Sequence, residues 1–413
     1  MKEAIEIIDS TIESKEYIQD VHNKSKGWIT NVNITKENGF RQWHYTLDDL
    51  LKLDFDKEDT YIYLNTFYKP MRRIETIKEL NCSFVDLDTY KTNFTKTQIL
   101  MNLEDNYYNK IIPEPSITLD TGRGLLLIWK LEQTPYMALP LWKGIQEHLY
   151  RQLKVFGADR MALDATRVLR VPGSINSKSG TKVKVIAKYD YVYSLREIQR
   201  EFLPELSETS KKKKGRPKKV VYVHRERSLY QGRILDIVKL CELRNYDVEG
   251  QREIILFLYR YYLCYFYEDE EKALNDTIEL NNTFIKPLAI KELTRATESA
   301  EKVFKSKDKQ YKYKNETLIE LLAINEYEQT HMKVIIGKEE YKKRNNEYNK
   351  KKYKLRLKEE GKLTQKEKIN ERRKIIKDLL GKGLSQKEIY ISLNISKRTC
   401  VYDIKYLKEQ GEI

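Results

Sequence analysis

FVDLDTY, residues 84–90, closes an apolar run with two carboxylates two positions apart. A short apolar run bounded by polar residues predicts a strand, and side chains on a strand alternate between faces, so Asp86 and Asp88 point to the same side. Like charges held that close repel each other, which calls for something positive between them. Asp-x-Asp also occurs where a strand simply runs into a turn, so the pair alone does not define a site.

Two stretches further along carry chemistry that suits such a pair. TGRGLLLIW, residues 121–129, places Arg123 between Gly122 and Gly124 ahead of an apolar strand. A turn of this kind lets backbone N–H groups approach phosphate oxygens, and a guanidinium adds a bidentate clamp. An ordinary hairpin turn is the plainer reading. LDATRVLRVPGSINSK, residues 163–178, offers Asp164, then Arg167 and Arg170, a bend at Pro172-Gly173, and Asn176 and Lys178 beyond it. One acid followed by cations at a bend suits a meeting of metal and polyphosphate, whereas surface ion pairs of the same residues would be worth little.

In this order, FVDLD, TGRGLLLIW and LDATRVLRVPGSIN resemble the three motifs of the archaeo-eukaryotic primase superfamily, in particular the primase-polymerase domains of plasmid and mobile-element replication proteins. The resemblance covers about residues 30–205, and its most specific part is the acid followed by R-x-x-R-x-P-G-x-x-N. It implies an RNA-recognition-motif-like sheet packed on a smaller α/β unit. It also implies that Asp86, Asp88 and Asp164 are the catalytic carboxylates that bind Mg²⁺ or Mn²⁺, with Thr121, Gly122, Arg123, Gly124, Arg167, Arg170 and Lys178 around a nucleoside triphosphate. Many relatives carry a histidine two residues after the second glycine of the middle motif; Leu126 stands there in this chain. GQREIILFLYRYY (250–262) and NNTFIKPLAIKEL (281–293) are similar to the helical module that follows such catalytic domains.

The remaining patterning predicts an α+β, multidomain chain. Strand-like runs at 61–67, 83–87, 116–119, 125–131 and 182–187 alternate with helical stretches such as 141–156. The expected division is a catalytic domain over 1–205, a basic linker over 206–228, a helical domain over 229–340, a basic linker or exposed helix over 341–365 and a helix-turn-helix over 366–413. Arg216, in KKKKGRPKK (211–219), sits as in an AT-hook entering a narrow minor groove, or belongs to a plain basic linker. The aromatic stripe Phe257, Tyr261, Tyr262, Tyr265 and Phe266 has helical spacing and predicts core.

In the tail, Ile375, Ile376, Leu379 and Leu380 line a first helix ending near Gly381. Ser385 to Glu388 is a capping box opening a second helix, and Ser396 caps a third running to about Lys408. The turn Leu393-Asn394-Ile395-Ser396 resembles that of resolvase-like and sigma-factor-like DNA-binding domains. That likeness puts Ser396, Lys397, Arg398, Thr399, Tyr402 and Lys405 on the DNA side.

Charge distribution agrees with a polyanion partner. Residues 341–413 hold 22 Lys and Arg against 10 Asp and Glu, and 211–219 hold seven more cations, within a net charge of +15. Segregation of this kind favours nucleic acid over a uniformly solvated surface. The four cysteines form no C-x-x-C pair, no run of eighteen apolar residues occurs, and the first residues lack a signal-peptide pattern, so a cytoplasmic protein without membrane association is expected. No G-x-x-x-x-G-K-[ST] loop and no metal-binding histidine pair is present, which argues against a helicase motor and a rolling-circle nuclease and leaves unwinding to a separate helicase. The expected function is a replication protein that primes DNA synthesis on a single-stranded template and is recruited to its origin duplex by the tail. The alternative is a non-catalytic replication initiator or transcriptional repressor.

Overall fold

The computed structural model describes residues 14–22, 25–35, 39–203, 219–306 and 311–413. The chain divides into two compact units, Met1–Ile335 and Ile336–Ile413.

In the first unit the strands are β1 (Ile29–Thr35), β2 (Gly39–Tyr45), β3 (Thr60–Tyr63), β4 (Thr66–Phe67), β5 (Ile77–Leu87), β6 (Ile117–Asp120), β7 (Leu125–Pro135), β8 (Val168–Arg170), β9 (Ile175–Asn176), β10 (Thr181–Lys182) and β11 (Lys184–Lys188). They build a five-stranded sheet in the order β11-β6-β7-β5-β4, a four-stranded sheet in the order β2-β1-β3-β8, and the small β9-β10 ladder. The ladders in all three are antiparallel. The 61–67 run, read from sequence as one strand, splits into β3 and β4 and so supplies both larger sheets. The architecture is α+β, as expected.

The continuous apolar run at the start of β7 is explained by burial on both faces: Leu125 to Leu131 are all buried. Helix α1 (Leu139–Leu153) covers part of the sheet. Its Trp142 Nε1 donates to the Cys82 carbonyl at 2.8 Å, and its ring lies 5.9 Å from that of Phe84. Strand β4 is short, so the outer edge of β5 beyond it would leave backbone groups unpaired in the interior, at a cost comparable to lost hydrogen bonds. Gln146 of α1 meets that demand: its Oε1 accepts from Phe84 N at 3.0 Å and its Nε2 donates to Phe84 O at 2.9 Å. Beyond Gln146 the segment 157–159 takes over the same edge, with Asp88 N donating to Gly157 O at 2.9 Å and Asp159 N to Asp86 O at 2.8 Å.

The first unit's helical region contains α2 (Lys219–Leu243), α3 (Arg252–Tyr267), α4 (Glu270–Asn281) and α5 (Ile290–Ser306), followed by the short helices Asn315–Leu321 and Glu326–His331. Of the aromatic stripe, Tyr261, Tyr262 and Phe266 are buried core as their spacing predicts, while Phe257 and Tyr265 are half-buried, Tyr265 lining a cleft. Tyr259 Oη donates to Glu75 at 3.0 Å, and Glu75 in turn pairs with Arg73 at 2.9 Å, both buried; the helices therefore pack directly on the sheet region. Arg216 and its neighbours over 204–218 lie outside the described residues, and the last part of the expected linker, from Lys219, is already the first turns of α2.

The second unit opens with α6 (Lys338–Glu359), polar on all sides, with Tyr341, Tyr348 and Tyr353 exposed. The expected alternative of linker or exposed helix is thus a helix. Three shorter helices follow: α7 (Gln365–Gly381), α8 (Gln386–Ser392) and α9 (Lys397–Glu409). Ile376, Ile389, Cys400, Ile404 and Leu407 form their core. Thr364, Ser385 and Ser396 cap the three helices, each accepting from the backbone N–H three residues on. Ile375, expected in this core, is exposed: Ile376, Leu379 and Leu380 already face the bundle, and Ile375 falls outside their stripe.

Candidate active site

The end of β5 carries the two carboxylates onto one face of the five-stranded sheet, beyond the reach of α1. They line a pocket of about 200 Å³ together with Thr121, Arg123, Gly124, Leu126, Arg167, Arg170, Asn176 and Lys178. Tyr61 and Arg170, register partners in the four-stranded sheet, close the opposite side. All three sequence motifs therefore meet at one place.

The two-glycine turn fits because its glycines have no side chain. A Cβ on Gly124 would stand 2.1 Å from the Leu87 carbonyl oxygen, so only glycine lets the turn lie against the end of β5. Gly122 has φ +89°, its N–H donates to Asp120 Oδ1 at 2.7 Å, and it stands in the turn just behind the residues that line the pocket. Arg123 lies over the Tyr90 ring at 4.1 Å, which fixes its guanidinium at the pocket mouth. Asn176 Nδ2 donates to the Thr121 carbonyl at 2.7 Å and so ties the middle motif to the third.

The electrostatics around Asp86 disfavour its charged form. Burial and the neighbouring Asp88 carboxylate, with Asp159 adding to them, push the Asp86 carboxyl up to about 7 against the opposing pull of Arg167 and Arg170. Asp88 has found one cation, Lys91 Nζ at 2.6 Å. Arg170 is held by Asp59 and lies 4.7 Å from the Tyr61 ring centre. The donor set, two side-by-side carboxylates with one of them driven toward its protonated form, fits a divalent cation.

Asp164 is not brought to this pocket. Its carboxylate faces a separate, larger cleft, where it accepts from Lys272 Nζ and from Thr166 N at 2.9 Å. Burial alone would raise its carboxyl, but the Lys272 ammonium and the Thr166 hydrogen bonds hold it below the ordinary carboxylate range. The acid that does share the face of Asp86 is Asp159. Leu87 and Ala158 form an antiparallel bridge, so Asp86 stands opposite Asp159, and directly opposed residues of such a ladder project to the same side. Asp159 Oδ2 lies 3.3 Å from Arg167 Nη2. Among the described residues no three His, Cys, Asp or Glu side chains are gathered at metal-ligand range. His148 stands away from the site, hydrogen-bonded to the Ile111 carbonyl at 3.1 Å.

No family model matches the chain. Among curated proteins, a replication protein of Clostridium perfringens is 58% identical over 400 residues, covering 97% of this chain and 98% of that protein. The chain belongs to this family of replication proteins. Similar solved structures include the primase-polymerase domain of cyanophage S-2L (17% identity, TM-score 0.33, covering 45% of this chain and 94% of that one) and primase RepB′ (12% identity, TM-score 0.32, covering 70% and 98%). The catalytic domain of RepB′ has also been solved with initiator DNA (12% identity, TM-score 0.31, covering 45% and 94%).

The tail of the replication protein presents a second candidate surface. Lys397, Arg398, Tyr402 and Lys405 are exposed on α9, Ser396 caps it and Thr399 is half-buried. Asn394 takes φ 51°, the left-handed turn between α8 and α9 that asparagine tolerates better than most residues. Behind that face, buried Asp403 accepts from Arg372 Nε at 2.7 Å and Arg373 Nε at 2.8 Å, which locks α9 onto α7. Among the described residues no helix is long and apolar enough to cross a membrane.

Proposed function

We propose that this replication protein is a primase-polymerase: it joins nucleotides on a single-stranded DNA template and is recruited to an origin of plasmid or mobile-element type by its C-terminal helix-turn-helix. The observation that carries the reading is the pocket in which Asp86 and Asp88 face Arg123, Arg167, Arg170 and Lys178. Carboxylates beside several cations suit a metal-bound triphosphate better than either charge set alone.

Asp86 and Asp88 would hold the divalent cation, Mg²⁺ or Mn²⁺, with Asp159 rather than Asp164 as the third carboxylate. A metal bound there supplies charge neutralisation and a lowered pKa for the attacking primer hydroxyl. Arg167, Arg170 and Lys178 meet the triphosphate's charge, Arg123 clamps from the mouth, and Thr121, Gly122 and Gly124 offer a turn close enough for backbone N–H contacts. Positioning of this kind carries most of the catalysis in phosphoryl-type transfers. In the tail, Ser396, Lys397, Arg398, Thr399, Tyr402 and Lys405 read or grip duplex DNA, with Arg216 in the basic stretch as an additional contact. Strand separation is left to a separate helicase.

A second reading, a non-catalytic initiator or repressor, draws on Leu126. It is the register partner of Asp86, lines the pocket, and occupies the position where many primase-polymerases have histidine. Labelled nucleotides with single-stranded template and Mn²⁺ distinguish the two. Product that disappears in Asp86→Ala and Asp88→Ala supports the enzyme; wild-type protein that makes none, yet footprints its own origin, supports the binding protein.

A further inference from the structure

We propose that Lys272, on the first turn of α4 in the helical region, is a positioning residue for the catalytic pocket, acting through the segment that joins Asp159 to Arg167. The inference rests on the nucleotidyl-transfer reading of that pocket and adds a part to it from outside the three motifs.

Segment 159–167 is fastened at both ends. At its start, Asp159 N donates to Asp86 O at 2.8 Å, tying it to the catalytic strand. At its end a tight turn, with Arg167 N donating to Asp164 O at 3.0 Å, delivers Arg167 into the pocket. That turn is held from beyond the sheets by Lys272 Nζ, which donates to Asp164 Oδ2 and to Thr166 Oγ1. Both partners of the ion pair are largely buried, with side-chain exposures of 15% and 18%. Buried pairs of this kind constrain geometry strongly, because either partner left alone is a costly unpaired charge.

Lys272 is itself fixed. Its backbone N–H donates to Asp269 Oδ1 at 3.0 Å in the helix cap, and its ammonium lies 4.0 Å from the Tyr267 ring centre. Asp276, one turn later on the same helix, is engaged by the Tyr267 hydroxyl at 2.6 Å, which leaves Lys272 to Asp164. Arg160, at the start of the segment, adds a second tie to the helices through Glu268 at 2.9 Å. The helical region thus sets the turn from which Arg167 reaches both the pocket and Asp159.

The test uses the full chain and three variants: Lys272→Met, Lys272→Arg, and Asp164→Asn combined with Lys272→Met, which removes both charges and keeps the packing. Amide hydrogen exchange over 159–170 reads the positioning directly; the KM for Mn²⁺-triphosphate and kcat read its consequence. Lys272→Met should exchange faster over 159–170 than elsewhere and raise KM by about 10–100-fold, the usual cost of losing a supporting partner, with a smaller change in kcat. Lys272→Arg should recover both, and the double variant should melt near wild type while keeping the raised KM. Wild-type exchange over 159–170 in Lys272→Met overturns the inference, as does faster exchange spread evenly over the chain. If the wild-type protein turns over no triphosphate, the enzymatic reading falls while the exchange result still decides the role of Lys272.

Discussion

Replacing Asp86 with asparagine should make the metal-free protein more stable at pH 8, although it removes a proposed metal ligand. In the folded chain the Asp86 carboxyl ionises near 7 because of burial and the Asp88 charge, against 3.8 for an ordinary aspartate. The unfolded state therefore releases this proton at lower pH than the folded state, so wild-type stability falls as pH rises from about 4 to about 7 and stays low above. The full displacement corresponds to about 4 kcal/mol at 1.36 kcal/mol per pH unit, and because Asp86 is only half-buried and keeps contact with solvent the expected gain in Asp86→Asn is about 2 kcal/mol. Thermal melts at pH 5 and pH 8, each with and without Mn²⁺, measure it. The variant should melt several degrees above wild type at pH 8 without metal and close to wild type near pH 4, and Mn²⁺ should stabilise wild type far more than the variant. A variant that melts at or below wild type at pH 8 without metal, or equal stabilisation of both proteins by Mn²⁺, would refute the reasoning.

Asp159→Ala should abolish Mn²⁺-dependent primer synthesis, whereas Asp164→Asn should leave product formation with a weakened KM; gel analysis of labelled products ranks the two, and the opposite ranking would restore Asp164 as the metal ligand. Arg398→Ala should cost ~1 to 3 kcal/mol on origin DNA if it contacts a base, and equal loss on random DNA would exclude base reading. Deleting Lys211–Lys214 should weaken binding to all sequences alike and flatten the salt dependence, as titrations at several ionic strengths would show.

Much of this architecture is legible from patterning. A continuous apolar run marks β7, a shorter one marks only the last five residues of β5, and the caps at Ser385 and Ser396 place the tail helices to within a residue or two. The β1–β2 hairpin was missed: ITNVNIT and GFRQWHY place Asn, Arg and Gln among few aliphatics, and β2 lies at a sheet edge where such residues face water. The choice between Asp159 and Asp164 was equally beyond a linear reading. The two are five positions apart in one segment, and only the pairing of Ala158 with Leu87 shows which of them stands over Asp86. Lys272 carries no local signal at all, since its partners Asp164 and Thr166 are more than a hundred residues away in sequence.

The way the outer edge of β5 is filled, first by a short strand, then by the amide of Gln146, then by 157–159, has a consequence for how such chains diverge. The identity of Ala158 can drift, because main-chain atoms make the match, whereas Gly157 is held by its φ of +82° and by the Asp88 carbonyl oxygen, which a Cβ there would approach to 2.7 Å. Length cannot drift: inserting or removing a single residue between Phe156 and Asp159 would rotate that acid to the far side of the ladder and strand it in the interior. Natural variation in this stretch should accordingly consist of replacements, with gaps displaced to the outer loops.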